Sequence, residues 1–158
     1  AARWAPSAFN EQPWRFIYAQ RETAQAFDKL LGCLVEGNRV WAKHASVLIL
    51  TLARTTYSRN EKPNHHALYD LGQSVANLSI QATSMGLYLH QMAGFSSEKA
   101  IAAIDIPDDF QPVTMIALGE MGALNDLPED LQKGELAERR RNPITRFAFD
   151  GNTDPVFS

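Results

Sequence analysis

This chain has a single cysteine, a small net charge and no long apolar run, and each of these features argues against a class of protein. The 158 residues contain one cysteine, Cys33, so an internal disulfide framework is excluded and a reducing cytoplasm is expected. The net charge of -3 gives no reason to expect nucleic acid or an anionic membrane as a partner. No apolar run reaches the roughly 20 residues that a membrane-spanning helix needs.

The usual signatures of nucleotide, metal and nucleophile sites are also missing. The sequence has no glycine-rich dinucleotide fingerprint, no P-loop and no serine nucleophile elbow. His65 and His66 are adjacent, so on a helix they diverge by about 100° and are poorly placed to bind one metal together. A chain without an acid, base, nucleophile or metal motif often leaves its chemistry to an organic cofactor.

The composition is that of an ordinary globular protein, with 45% hydrophobic and 21% charged residues, and it predicts one domain over residues 1–158. Strand candidates interleave with helical patterns, which favours an α+β or α/β fold with a mixed sheet. The predicted strands are 14–19, 46–52, 86–95 and 113–119. The predicted helices are 23–34, with Gly37 as a stop, 67–85, and 98–104 with Ser96 or Ser97 as its cap.

Residues 5–16, A-P-S-A-F-N-E-Q-P-W-R-F, form the most informative stretch, called the opening loop below. Pro6 and Pro13 fix their own φ angles and bracket a rigid, non-helical loop. Small residues and carboxamides between them offer backbone N–H groups and directional hydrogen bonds to a planar, polar ligand. By spacing alone, an ordinary connector between a helix and a strand is the simpler interpretation.

The helix predicted over 67–85 is apolar on several sides, which indicates a central helix. It is buried either by its own domain or by a partner subunit, and the pattern alone leaves both open. Its expected apolar stripe is Leu68, Leu71, Val75, Leu78, Ala82 and Met85, and the small residues that would let another element approach are Gly72, Ser74, Ala76 and Ser79.

The string P-S-x-x-N-x-Q-P-W-x-F in the opening loop resembles the signature of the nitroreductase family, the FMN-dependent NAD(P)H oxidoreductases. The resemblance implies an α+β fold with a mixed, mainly antiparallel sheet flanked by helices. It also implies an intertwined homodimer with two FMN sites at the interface. Four residues of the opening loop would then contact the isoalloxazine ring: Pro6, Ser7, Ala8 and Asn10.

Two more places are similar to the family pattern. Asn38 resembles an asparagine that binds the pyrimidine edge of the flavin, although alone it is better explained as a helix cap or turn residue. Trp41 stands one turn later, where relatives often have lysine. The third place is a turn whose backbone approaches flavin N5, although alone it is better explained as a plain connection. That turn is Gln91, Met92, Ala93 and Gly94.

The resemblance extends to the phosphate of FMN. Arg139 and Arg141 resemble a C-terminal basic pair that binds it, and Arg140 would then point to solvent or towards Glu138. An arginine run is otherwise most simply a solvated surface. The family's N-terminal arginine–serine segment is not in this sequence, so we expect either an incomplete version of the protein or a departure from the family.

The implied activity is a ping-pong reaction in which NADH or NADPH gives hydride to flavin N5 and an organic acceptor takes it. The acceptor would be a nitroaromatic, a quinone or an enone. Protein groups would tune the flavin, so no catalytic side chain is assigned. Reductive dehalogenation, flavin cleavage, and a flavin-binding dimer without turnover remain open, and residues 54–64 are expected to be a surface excursion or a lid.

Overall fold

The computed structural model describes residues 1–151 of the chain. These residues belong to two compact units, Ala1–Gly122 and Ala123–Ser158. The expectation of one domain over the whole chain stays a prediction. Within the described residues, no helix is long and apolar enough to cross a membrane.

The first unit is built on a four-stranded sheet in which each pair of neighbours is antiparallel. Its spatial order is β1-β2-β4-β3, so β1 and β3 are the edge strands. The strands are β1 (Trp14–Gln20), β2 (Val47–Arg54), β3 (Tyr88–Met92) and β4 (Phe110–Gly119). The predicted α+β class and mainly antiparallel sheet are confirmed.

Helices cover both faces of the sheet. Because successive side chains of a strand point to opposite faces, β2 supplies both cores. Leu48 and Leu50 pack with Leu30 on one face, here called the α1 face. On the other, the α3 face, Ile49 packs with Leu71. The helices of the first unit are α1 (Ala24–Cys33), α2 (Glu36–Ala42), α3 (Ala67–Ser84) and α4 (Ser97–Ile104).

Helix α2 was not expected from the sequence, and Gly37 lies inside it instead of stopping α1. A glycine in a helix costs about 1 kcal/mol relative to alanine, so helix propensity alone does not predict α2. Packing overrides that cost, because Ala42 is fully buried in the core of the α1 face and Trp41 packs against it.

Strand β4 begins at Phe110, earlier than predicted, and includes Pro112. Thr51 pairs with Thr114 and Leu52 with Pro112, so Val113 is an extra residue in a β-bulge. Proline is tolerated in sheets mainly at edges and bulges, since it has no N–H for the ladder. The proline therefore lies beside a bulge.

Helix α3 buries one side, but part of its predicted apolar stripe lies on the surface of the single chain. Leu68 is 50% exposed and Met85 65% exposed, contrary to burial within one domain. Leu68 belongs to an exposed row of residues spaced four apart, here called the α3 stripe. The α3 stripe consists of Leu68, Gly72, Ala76 and Ile80.

The described part of the second unit is mostly short helices and extended chain. Helix α5 (Glu129–Glu135) lies between two 3-10 turns, Leu124–Asp126 and Ile144–Arg146. Glu129 and Asp130 occupy the first turn of α5, where negative charge is favourable to the helix dipole.

Candidate functional site

The opening loop has a defined and strained backbone. Ala8–Asn10 form one short 3-10 turn within the expected non-helical loop, and the φ and ψ angles of Phe9 in this turn are not those of a helix. Phe9, Asn10 and Gln12 have φ angles of 55°, 57° and 48°. For a residue other than glycine, this left-handed region costs about 1–2 kcal/mol of conformational free energy. Other contacts must therefore hold the loop in shape.

Some of these contacts lie within the opening loop. The Gln12 backbone N–H donates to Ser7 Oγ at 3.0 Å. The Gln12 side chain donates through Nε2 to Asn10 Oδ1 at 3.1 Å and to the Asn10 carbonyl oxygen at 3.3 Å. Ser7, Asn10 and Gln12 are thus joined into one small network that closes the loop.

A buried carboxylate ties the opening loop to α3. Asp70 is 3% exposed, and its Oδ2 accepts the Ala8 backbone N–H at 3.0 Å. Ala5 at the start of the loop and Trp14 near its end are buried in the core of the α3 face. The loop is thereby fixed on that face, and its last residues, 14–16, begin edge strand β1.

The turn after β3 is held by close packing. Asn38 Nδ2 donates to the Gly94 carbonyl oxygen at 3.0 Å, and the Val35 N–H donates to the same oxygen at 3.1 Å. A Cβ atom on Gly94 would lie 2.6 Å from Asn38 Nδ2 and 2.9 Å from Val35 Cγ2. Real Cβ contacts are not that short, so only glycine leaves room for this arrangement.

Gln91 and Met92 are the last two residues of β3, so only Ala93 and Gly94 of the predicted turn follow the strand. Met92 is buried in the core of the α1 face, whereas Gln91 and Ala93 are exposed. Asn38 is neither a cap nor a turn residue, because it lies inside α2. Trp41, one turn later, makes an edge contact with the His90 ring of β3 at 5.0 Å between centroids.

Within one chain, the structure unites Asn38 with the turn but does not unite them with the opening loop. The opening loop leads into β1 and packs on the α3 face, whereas the turn lies at the end of β3 and is joined to helices of the α1 face. The two edge strands are separated by three strand spacings, which is about 14 Å. The predicted flavin residues of this unit therefore form two separate groups, which are called half-sites below.

Arg139 and Arg141 belong to the second unit and are exposed. One Arg141 nitrogen donates to the Arg140 carbonyl oxygen at 2.8 Å. Arg140 reaches Glu138 at 3.4 Å, as expected. The phosphate-binding role of Arg139 and Arg141 stays a prediction.

Sequence reasoning missed the residues that hold the opening loop from outside. Asp70 had a recognisable signal, because a carboxylate on the buried side of an apolar helix needs a partner. Ser58 had none, since it lies in a polar stretch without periodicity. The Ser58 backbone N–H and hydroxyl both bind the Glu11 carboxylate and lower the pKa of Glu11.

The single cysteine, Cys33, packs as an apolar side chain. It is buried in the core of the α1 face, and its thiol contacts the Lys29 carbonyl oxygen at 3.2 Å. Burial raises the pKa of the Cys33 thiol, which disfavours the nucleophilic thiolate.

A sequence model of the nitroreductase family matches residues 1–120. This chain belongs to the nitroreductase family. The matched range contains the opening loop, Asn38, the turn after β3 and every strand of the sheet. The resemblance inferred from the opening loop is therefore confirmed.

Individual relatives agree with the membership. A Mycolicibacterium smegmatis protein, named Uncharacterized 15.4 kDa protein in ask 5'region, is 35% identical over 127 residues, covering 80% of this chain and 84% of that protein. A crystal structure described as an oxidoreductase containing FMN is 36% identical with a TM-score of 0.89, covering 96% of this chain and 77% of that one.

A more distant structure shows that the fold is shared. A nitroreductase family protein from Streptococcus pneumoniae TIGR4 is 19% identical, with a TM-score of 0.70 over 94% of this chain and 84% of that chain. At this identity the similarity shows the fold alone. Family membership and fold together make this chain an oxidoreductase of the nitroreductase type.

Proposed function

We propose that this chain is an FMN-dependent enzyme that uses NADH or NADPH to reduce a nitroaromatic, a quinone or an enone. The contact between Asn38 and Gly94 carries the proposal. These residues are 56 positions apart, yet a 3.0 Å hydrogen bond joins them. Gly94 also has no space for a Cβ atom, because Asn38 Nδ2 and Val35 Cγ2 occupy that position, so the glycine allows Asn38 to lie directly against the turn.

The donor set suits a flavin. Asn38 uses its amide nitrogen on Gly94, and within residues 1–151 its Oδ1 has no hydrogen-bond partner. That oxygen can accept from the N–H on the pyrimidine edge of the ring. The backbone N–H groups of Ala93 and Gly94 make no bond to another backbone group within the described residues, and they can donate to the ring.

FMN supplies hydride transfer between two substrates that bind in turn, and the surrounding residues orient it. Asn38, Ala93 and Gly94 carry no titratable side chain, so they can tune the flavin electrostatically without exchanging protons. The Ala93 side chain is small and exposed, which leaves access to the ring from that side. The turn is thus suited to position a cofactor rather than to act as acid or base.

The phosphate of FMN is assigned to Arg139 and Arg141. Two guanidinium groups match a phosphate that carries nearly two negative charges. Arg140 is directed to Glu138 and serves as a control. We expect Arg139→Ala with Arg141→Ala to weaken FMN binding, measured by flavin fluorescence, and Arg140→Ala to leave it unchanged. Equal affinities in both proteins would refute the assignment.

A homodimer is proposed because one chain separates the two half-sites. If the opening loop of one copy meets the Asn38–Gly94 turn of another, two copies complete two sites. The α3 stripe supports such an arrangement, since Leu68 and Ile80 are exposed while Gly72 and Ala76 permit close helix approach. Sedimentation should then give twice the mass of the chain. A monomer that holds FMN would contradict the two-copy site.

The colour of the purified protein tests the proposed function. We expect it to be yellow or to take up added FMN, and to bleach on anaerobic addition of NADH or NADPH. Reoxidation by a nitroaromatic, a quinone or an enone would identify the acceptor class. A yellow protein that neither nucleotide bleaches would indicate a binding protein without this turnover, and a colourless one that ignores FMN would refute the proposal.

The single cysteine also supports a reducing compartment, and we propose a cytoplasmic location on that basis. Fractionation of cells that express the protein would check it. Recovery outside the cytoplasmic fraction would contradict this assignment.

A further inference from the structure

The segment between β2 and α3, residues 55–63 and here called the β2–α3 loop, is folded on itself. The Tyr57 N–H donates to the Lys62 carbonyl oxygen at 2.8 Å, and Thr56 forms a β-bridge with Pro63. At its base, the Asn64 N–H donates to the Thr55 carbonyl oxygen at 2.7 Å. These bonds give the loop a fixed outline and present Ser58 and Arg59 at its tip.

Ser58 holds the opening loop through Glu11. Its backbone N–H and its hydroxyl both donate to Glu11 Oε2 at 2.8 Å. Hydrogen bonds to a charged acceptor are roughly twice as strong as those between neutral groups. The β2–α3 loop thus binds the opening loop one residue after Asn10.

Arg59 holds the opening loop on the other side of Asn10. Its guanidinium carbon lies 3.9 Å from the centroid of the Phe9 ring and 5.3 Å from that of Tyr57. The two rings meet edge to face at 5.9 Å. The cation is therefore placed against one ring from each loop, an arrangement that attracts a positive charge to the ring faces.

These two contacts lie where the opening loop needs support most. Phe9 and Asn10 have left-handed backbone angles, which a bulky residue such as phenylalanine rarely adopts. Asp70 fixes Ala8, before the strained pair. The strained centre itself, between Phe9 and Glu11, is reached by side chains of the β2–α3 loop. Such strain persists only when the surroundings over-determine it.

We propose that the Glu11–Ser58 and Phe9–Arg59 contacts form a clasp through which the β2–α3 loop positions Asn10 for the flavin. Ser58 and Arg59 are then positioning residues, which act through the opening loop without touching the cofactor. The inference rests on the proposed FMN site. It assigns to the β2–α3 loop the role of holding the opening loop in its conformation.

The test compares full-length wild type with Ser58→Ala, with Arg59→Leu and with the double variant. Lys62→Leu is the matched control, because it removes a cation from the same loop and the contacts of Lys62 run through its backbone. We expect the double variant to bind FMN about tenfold more weakly, measured by flavin fluorescence, and the control to be unchanged. Arg59→Lys should restore part of the affinity lost in Arg59→Leu, because it keeps the cation.

A second readout needs no flavin. Hydrogen exchange of the Asn10 and Glu11 amides in the apoprotein should accelerate severalfold in the double variant and not in Lys62→Leu. If wild type binds FMN but the double variant matches the control in both readouts, the clasp is overturned. Faster exchange with unchanged affinity overturns it too, because the loop would then move without affecting the cofactor. If wild type binds no FMN, the proposed function itself has failed, a result distinct from both.

Discussion

In the opening loop, three residues other than glycine have positive φ angles, whereas the turn after β3 has none and instead depends on the missing side chain of Gly94. The opening loop is held by polar groups from elsewhere, notably Asp70 and Ser58. The turn is held by packing of Asn38 against it. The two half-sites should therefore fail in different ways when they are altered.

Gly94→Ala should have the largest effect. A Cβ atom there would meet Asn38 and Val35 at 2.6 and 2.9 Å, and overpacking of this kind costs about 1–3 kcal/mol. Gly32→Ala is the control, since its Cβ would meet nothing within 4 Å and it lies in α1. Urea denaturation measures both changes. Equal free energies of unfolding in the two variants would contradict the packing account.

The cause of the Gly94 effect can be isolated with Asn38→Ala. That change removes the hydrogen bond to Gly94 and with it the atom nearest to the new Cβ. The double variant should therefore lose less free energy of unfolding than the sum of the single losses. Strict additivity would show that Asn38 and Gly94 do not act together.

Asp70→Ala should have the next largest effect and should act on the opening loop alone. It leaves the Ala8 N–H without its acceptor, which costs about 1–3 kcal/mol when the group stays buried. Hydrogen exchange should rise at Ala8 and not at Val35, whose N–H donates to Gly94. A rise at both amides would mean that the two half-sites are not independent.

Lowering the pH should have the smallest effect on stability, and it should again act only on the opening loop. Hydrogen bonds from Ser58 lower the pKa of Glu11 in the folded protein, with smaller contributions from the charges of Arg59 and Arg54. The stabilisation by these hydrogen bonds is therefore complete above the pKa that Glu11 has in the unfolded chain. It is lost as the pH falls through the lower pKa that Glu11 has in the folded protein.

Amide exchange of Asn10 as a function of pH, corrected for its intrinsic rate, measures this loosening. Glu11→Gln should remove the pH dependence, because the side chain no longer titrates. The turn should show none of it, since Asn38, Ala93 and Gly94 carry no titratable group. An acid transition that survives in Glu11→Gln would assign the effect to another residue.

Local sequence patterns predicted much of the fold. Continuous apolar runs predicted β2 and most of β4, and Ser96 caps α4 by accepting the Lys99 N–H. Helix α2 escaped prediction because Gly37 lowers its propensity while burial of Ala42 stabilises it. Such compensation depends on residues far away in the chain and cannot be seen in a local window.

The sequence named candidate site residues, which stay predictions, but it could not predict their geometry. The resemblance to the family pattern drew attention to Asn38, Gly94 and the opening loop, and in the structure a hydrogen bond joins Asn38 to Gly94. The left-handed angles of Phe9 and Gln12 were not predictable, because most residues of these types adopt negative φ angles. Their conformations depend on long-range contacts, such as those of Arg59, that have no sequence signature.

Binding of FMN to a heterodimer most directly tests the claim that two chains complete each site. One chain carries Asn10→Ala in the opening loop, and the other carries Gly94→Ala in the turn. Each homodimer should bind FMN poorly, whereas the heterodimer, isolated with two affinity tags, has one site with both wild-type halves. The account predicts one FMN per heterodimer. A heterodimer that binds no more FMN than either homodimer would contradict it.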